Sequence, residues 1–189
     1  LKGAHALAEE LGRVLEKHIT GLRRYAVALL GDAIEAEDLV QECLMRALSR
    51  EHVWSRVRDR RAYLFTILHN IHVDRRAQYR RHGVHVPIED VETQLHTPPN
   101  QHERLEIRDF KRALKELPES YKTVILLIGL EGITYRQAAD ILGVPIGTIM
   151  SRLSRGREML RRRMNGGAHG NGENHEASTL EEFPEVEVK

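Results

Sequence analysis

The chain has 189 residues and a mass of 21.7 kDa, which accommodates one ordinary domain or two small ones. Apolar residues make up 41%, aromatics 5% and charged residues 30%, a balance that suits a solvated helical protein with a modest core. No apolar run approaches the ~18 residues of a membrane span, and the start LKGAHALAEELGRV lacks the ordered regions of a signal peptide, so direct membrane insertion is not expected and a cytoplasmic location is.

Cys43 is the only cysteine, which excludes an internal disulfide and a paired-cysteine metal knuckle. The net charge of +1 conceals a segregation. Residues 1–85 hold 15 Lys/Arg against 11 Asp/Glu, residues 86–102 hold none against 3, residues 103–164 hold 13 against 8, and residues 165–189 hold 1 against 6. Two basic blocks therefore flank an acidic connector and precede an acidic tail. The connector VPIEDVETQLHTPPNQH carries Pro87, Pro98 and Pro99 and no helical period, as a flexible linker would. The Gly-, Asn- and Glu-rich tail from Asn165 is too poor in apolar residues to offset its ordering entropy and is expected to be disordered. The expected organisation is all-α: two small helical domains, 1–85 and 103–164, a linker at 86–102 and a disordered tail at 165–189.

In chain order, Leu15, Ile19, Leu22, Tyr25, Ala26, Leu29 and Leu30 recur at three- and four-residue spacing and stop at Gly31-Asp32, which predicts a first helix. A second starts near Glu35, with Leu39, Val40, Cys43, Leu44, Ala47 and Leu48 on one face and Glu35, Glu37 and Asp38 at its positive end. A third spans about Arg60 to Arg81 and buries Leu64, Phe65, Leu68 and Ile71. In the second block, Leu105, Phe110, Ala113, Leu114 and Leu117 precede Pro118, Tyr121 to Ile128 form another apolar face, and two shorter helices follow.

Those last two helices, in TYRQAADILGVPIGTIMSRLSRGREMLRRRM, carry the most specific local signal. Ala139, Gly143 and Ile149 have helix-turn-helix spacing: a small residue for close approach, a glycine for the turn and a branched residue to pack the second helix. Thr134 suits an N-cap and Pro145 the first turn of the second helix. In such a unit the second helix enters the major groove, and Thr148, Met150, Ser151, Arg152 and Arg155 are the candidates to face DNA. Arg157 and Arg161 to Arg163 extend a basic face suited to phosphate. A plain helical hairpin with a solvated Arg-rich end is the competing reading.

LLGDAIEAEDLVQECLMRAL and RAYLFTILHNIHVDRRAQYRR together resemble region 2 of bacterial sigma factors, and ALKELPESYKTVILLIGLEGITYRQAADILGVPIGTIMSRLSRGREMLRRR resembles region 4. The order, sizes and short linker are similar to the extracytoplasmic-function (ECF, group 4) sigma factors over about residues 10–164. The resemblance implies that Asp38, Leu39, Val40, Gln41 and Glu42 bind the beta-prime clamp helices of core RNA polymerase, with Leu39 or Val40 buried in the partner and the acids at its rim. It also implies contact with the beta flap. The loop HVWSRVRDRR and the third helix match the part that captures melted minus-10 DNA, which implies roles for Trp54, Arg56, Arg58, Arg60, Arg61, Tyr63, Asn70, Arg75 and Arg76. Eight Arg between Arg56 and Arg81 face only Asp59 and Asp74, an electrostatic track for single-stranded DNA beside aromatic faces for bases. Phe65 reads as a core aromatic rather than a stacking one.

Tyr63 stands where many relatives have Trp, and Met150 where many have Arg, so the promoter sequence does not carry over. The implied function is an alternative sigma factor that reads duplex minus-35 DNA, captures minus-10 bases and is controlled by an anti-sigma factor. Such a factor would be nucleoid-associated when active and held at the membrane only through that inhibitor. No cofactor, metal site or catalytic residue is expected: no Walker loop, nucleophile elbow or HExxH helix is present. The alternatives are a helix-turn-helix regulator that acts without core polymerase and a sigma-like decoy for an anti-sigma factor.

Overall fold

A computed structural model describes residues 2–50, 53, 56–82 and 101–166. Trp54, residues 86–100 of the expected linker and the tail from residue 167 lie outside them, and the linker's last two positions, Gln101 and His102, open a helix instead. Every regular element among the described residues is helical: α1 (Lys2–Leu30), α2 (Ala33–Ser49), α3 (Arg60–His82), α4 (Gln101–Lys115), α5 (Glu119–Ile125) with a wide π turn at Leu126–Leu130, α6 (Tyr135–Leu142) and α7 (Ile146–Gly166). The last helix runs through Asn165 and Gly166, two residues beyond the end expected from composition, and is longer than a short recognition helix.

The N-terminal domain, α1 to α3, forms where its apolar stripes meet. Leu22, Tyr25 and Ala26 of α1, Leu39, Val40 and Cys43 of α2, and Leu64, Phe65 and Leu68 of α3 are almost wholly buried. Tyr25 and Phe65 meet edge to face, with ring centroids 5.4 Å apart, which confirms Phe65 as a core residue. Gly31, at φ +80°, ends α1 in the left-handed region that glycine tolerates, and its N–H reaches the Val27 carbonyl. Asp32 does more than stop the first helix: its Oδ1 accepts from the Glu35 N–H at 2.7 Å and caps α2. Asp59 caps α3 in the same way through the Ala62 N–H at 2.9 Å.

In the C-terminal domain, Ala113, Leu114 and Leu117 join Val124, Leu127, Ile141, Ile149 and Leu153 in a common core. Phe110, assigned to the apolar face, is instead 38% exposed, and Leu48 of α2 is 46% exposed. The turn between α6 and α7 follows the sequence expectation closely. Thr134 and Gln137 form a reciprocal capping box, Gly143 takes φ +63°, and Ile149 is fully buried. Helices α5 and α7 approach closely at Gly156, where a Cβ would lie 2.9 Å from Ile125 Cδ1 and 3.1 Å from Tyr121 Cβ. Gly156→Val is therefore expected to cost about 2 kcal/mol through overpacking. A lower urea midpoint for the variant is the expected reading; an unchanged midpoint would mean that the two helices part freely.

The two domains dock on each other. Helix α3 packs against α6, and α1 packs against the π turn.

Candidate nucleic-acid interface

Helix α2 has two faces. Its inner face holds Leu39 and Val40, 1% and 0% exposed, so the expectation that either inserts into a partner is corrected: both belong to the domain's own core. Its outer face presents Asp38 and Gln41 to solvent. Ile34, Met45 and Leu48, 72%, 67% and 46% exposed, continue the same face at three- and four-residue spacing. The sequence does not single out Ile34 and Met45, and it puts Leu48 inward, because the inner stripe already accounts for the helix. Glu42 sits between Arg46 at 2.7 Å and Arg75 at 2.6 Å. Burial opposes its charge, but Arg75 and Arg46 together hold its carboxyl below the ordinary carboxylate range. Arg75 is thereby tied to α2 rather than presented with the other track arginines.

Along the loop and α3, Arg56, Arg58, Asn70 and Arg76 are exposed, while Arg60, Arg61 and Tyr63 are half-buried. Arg61 lies over the Phe65 ring, 5.6 Å from its centroid. The basic track is not open along its whole length. Arg61 reaches the Glu131 carboxylate at 3.2 Å and also donates to the Glu131 carbonyl, and Arg76 pairs with Glu119. Both acids belong to the C-terminal domain.

On α7, Met150, Ser151 and Arg155 are exposed and Thr148 is half-buried, which leaves much of the expected reading face accessible. Arg155 makes no ion pair among the described residues, whereas Arg162 and Arg163 pair with Glu158 and Glu116. Arg152 differs from its neighbours. It is half-buried and lines a cleft of about 380 Å³ between the domains, opposite Arg76 and Arg80 of α3, with Ser120 and Thr123 of α5 alongside.

Two histidines of α3 face the C-terminal domain. Burial and the cations Arg76, Lys122 and Arg75 push His72 down to about 4, against the pull of Glu35; its ring is neutral and donates from Nε2 to the Glu119 carboxylate. His69 lines the cleft with its Nδ1 buried and unpartnered, and burial with the neighbouring His72 pushes it down to about 4 as well. An unfolded His69 takes up its proton near 6.5 and the folded one only near 4, so its contribution is intact above pH 6.5 and is lost as pH falls through that window. We expect a stability loss of about 2 kcal/mol from this group, allowing for its partial exposure. Urea unfolding at pH 7 and pH 4.5 should show a smaller difference for His69→Gln; an equally large one would place the proton uptake elsewhere.

Among the described residues, no group of three or more His, Cys, Asp or Glu side chains is placed to hold a metal ion, and no helix is long and apolar enough to cross a membrane. The Cys43 thiol donates to the Leu64 carbonyl, and burial pushes it up to about 12, which marks it as a packing residue.

The family model for the Sigma2 domain of PhyR matches residues 15–69, and the model for Sigma-70, region 4 matches residues 107–160. The ECF RNA polymerase sigma factor EcfG of Rhodopseudomonas palustris (strain TIE-1) is 38% identical over 144 residues, covering 75% of this chain and 78% of that relative. The chain belongs to the ECF RNA polymerase sigma factor family. ECF sigma factor SigL of Mycobacterium tuberculosis is 36% identical over 159 residues, covering 81% of this chain and 88% of its own. The sigma factor RpoE of Bartonella quintana, solved in complex with the anti-sigma factor NepR, matches with a TM-score of 0.70 and 31% identity over 83% of this chain and 98% of that one. In this sigma factor, α1 to α3 contain the Sigma2 match and α4 to α7 the region 4 match.

Proposed function

We propose that this ECF sigma factor is a dissociable promoter-specificity subunit of bacterial RNA polymerase. The observation that carries the proposal is the capped helix-turn-helix, which leaves Met150, Ser151 and Arg155 exposed on α7 beside a basic face. Region 4, expected over 103–164, would dock on duplex minus-35 DNA, and the exposed part of the α3 track would hold melted minus-10 bases. The outer face of α2, with Asp38 and Gln41 between Ile34 and Met45, suits the clamp helices of core polymerase better than the buried pair Leu39 and Val40 does. The catalytic step of RNA synthesis would remain with the core enzyme. Control by an anti-sigma factor is proposed by analogy with the RpoE–NepR complex, and a cytoplasmic location goes with the proposed role as a polymerase subunit.

The test is run-off transcription with purified core on a genomic library, with start sites mapped. Core-dependent starts sharing two spaced motifs are the expected result. Binding to duplex DNA without any core-dependent start would favour a stand-alone regulator, and anti-sigma capture without core binding a decoy. If Arg155 contacts a phosphate, Arg155→Ala is expected to weaken duplex binding and to lower its salt slope by about 1. An identical slope and an identical upstream footprint would remove that role.

A further inference from the structure

Glu131 is the least ordinary charge in the molecule. Its carboxylate has no solvent exposure, and it is held by Arg24, which donates from Nε at 2.9 Å and from Nη2 at 3.0 Å, and by Arg61 at 3.2 Å. Both arginines belong to the other domain. A buried carboxylate without such partners is strongly unfavourable, so Glu131 is satisfied in this place only while the domains are docked. Room for it is made on α1 by Gly21, where a Cβ would lie 2.9 Å from Oε2.

A second acid repeats the arrangement at the far side of the interface, where Glu119 takes His72 and Arg76. A hydrogen bond joins the two helix caps: Asp59 caps α3 with Oδ1 and accepts from the Gln137 side-chain amide with Oδ2, while the Gln137 oxygen completes the α6 capping box at 2.9 Å. The contacts thus run along α3, the helix that carries the basic track.

We propose that the docked arrangement is a self-inhibited state, latched by Glu131 and Glu119, whose carboxylates occupy α3 cations in place of DNA phosphates. The occlusion rests on the reading of α3 as a nucleic-acid track; the latch itself does not. In the docked form Arg61 and Arg76 are engaged, and Arg152 is drawn into the cleft. On opening, the carboxylates return to water and the guanidiniums are released to phosphate. That exchange of one anion for another favours DNA when the nucleic acid is present and closure when it is not. A ligand that binds only the open form has its affinity reduced by the open fraction. If the docked form holds about nine molecules in ten, releasing the latch raises apparent affinity about tenfold.

The full chain is tested by small-angle scattering for its radius of gyration and by anisotropy for binding of a single-stranded oligonucleotide, with circular dichroism as a check on folding. Glu131→Gln and Arg24→Gln remove the latch from opposite domains, and neither residue belongs to the proposed DNA or polymerase contacts. Each should expand the molecule and tighten oligonucleotide binding about tenfold, and the double variant should gain no more than either alone. Gly21→Ala improves the intrinsic helix propensity of α1 without changing charge, and should shift both readings the same way by crowding Oε2. Helical variants as compact as the parent, or expanded variants that bind the oligonucleotide no better, would overturn the proposal. Scattering stands apart from transcription: expansion with no core-dependent starts would retain the latch and refute the sigma role, whereas core-dependent starts with unchanged compactness would do the opposite.

Discussion

Replacing Ile34 and Met45 together by aspartate is expected to lower affinity for core polymerase about 100-fold while leaving the melting temperature unchanged. Both side chains project from α2 into solvent, 72% and 67% exposed, so the fold loses nothing when they become polar. A partner groove that covers them gains about 1.5 to 3 kcal/mol from each apolar side chain, and aspartate forfeits that gain and adds a charge to be desolvated. Two such losses total at least about 3 kcal/mol, and each 1.4 kcal/mol is a factor of ten in binding. Holoenzyme titration with labelled core, alongside a thermal melt, reads both quantities. An unchanged dissociation constant would remove the outer face of α2 from the polymerase interface.

Leu39→Ala is expected to do the reverse. This side chain is 1% exposed among Tyr25, Phe65 and the rest of the N-terminal core, so truncation leaves a cavity and costs about 3 to 5 kcal/mol of stability. Any fall in polymerase affinity would then follow the loss of folded protein and recover at lower temperature. Chemical denaturation checks the first statement, and titration at low temperature checks the second. If Leu39→Ala cut core affinity with its unfolding midpoint intact, the side chain would serve a partner after all, as the family resemblance implies.

These neighbouring positions show why some of the molecule is legible in the sequence and some is not. Helix α2 carries two apolar stripes, one through Leu39, Val40 and Cys43 and one through Ile34, Met45 and Leu48. Periodicity identifies a stripe but does not say whether the domain or a partner covers it, so it puts Leu48 inward and gives Ile34 and Met45 no role. The turn between α6 and α7 was readable because each device in it is local: Thr134 reaches Gln137 three residues on, and Gly143 needs no distant neighbour for its left-handed backbone. Phe110 failed for the same reason as Leu48, since an apolar residue at the right spacing need not be enclosed. The contacts between domains could not be read at all. Arg24 and Arg61 meet Glu131 across 107 and 70 residues of chain, and in the sequence Glu131 is one acid among many. Only the docking of α1 against the π turn and of α3 against α6 gives it a role.

That wide turn at Leu126–Leu130 has an evolutionary consequence. The π turn closes the C-terminal end of α5, its wider winding amounts to one inserted amino acid, and each residue of an α-helix accounts for about 100° of rotation. A single-codon deletion there would restore regular winding and swing Glu131 around the helix axis, away from α1. Glu131, Arg24 and Arg61 would all still be encoded, yet the acid would no longer meet its two arginines. Lineages can therefore gain or lose this restraint by a change in length, invisible to any comparison that scores substitutions alone.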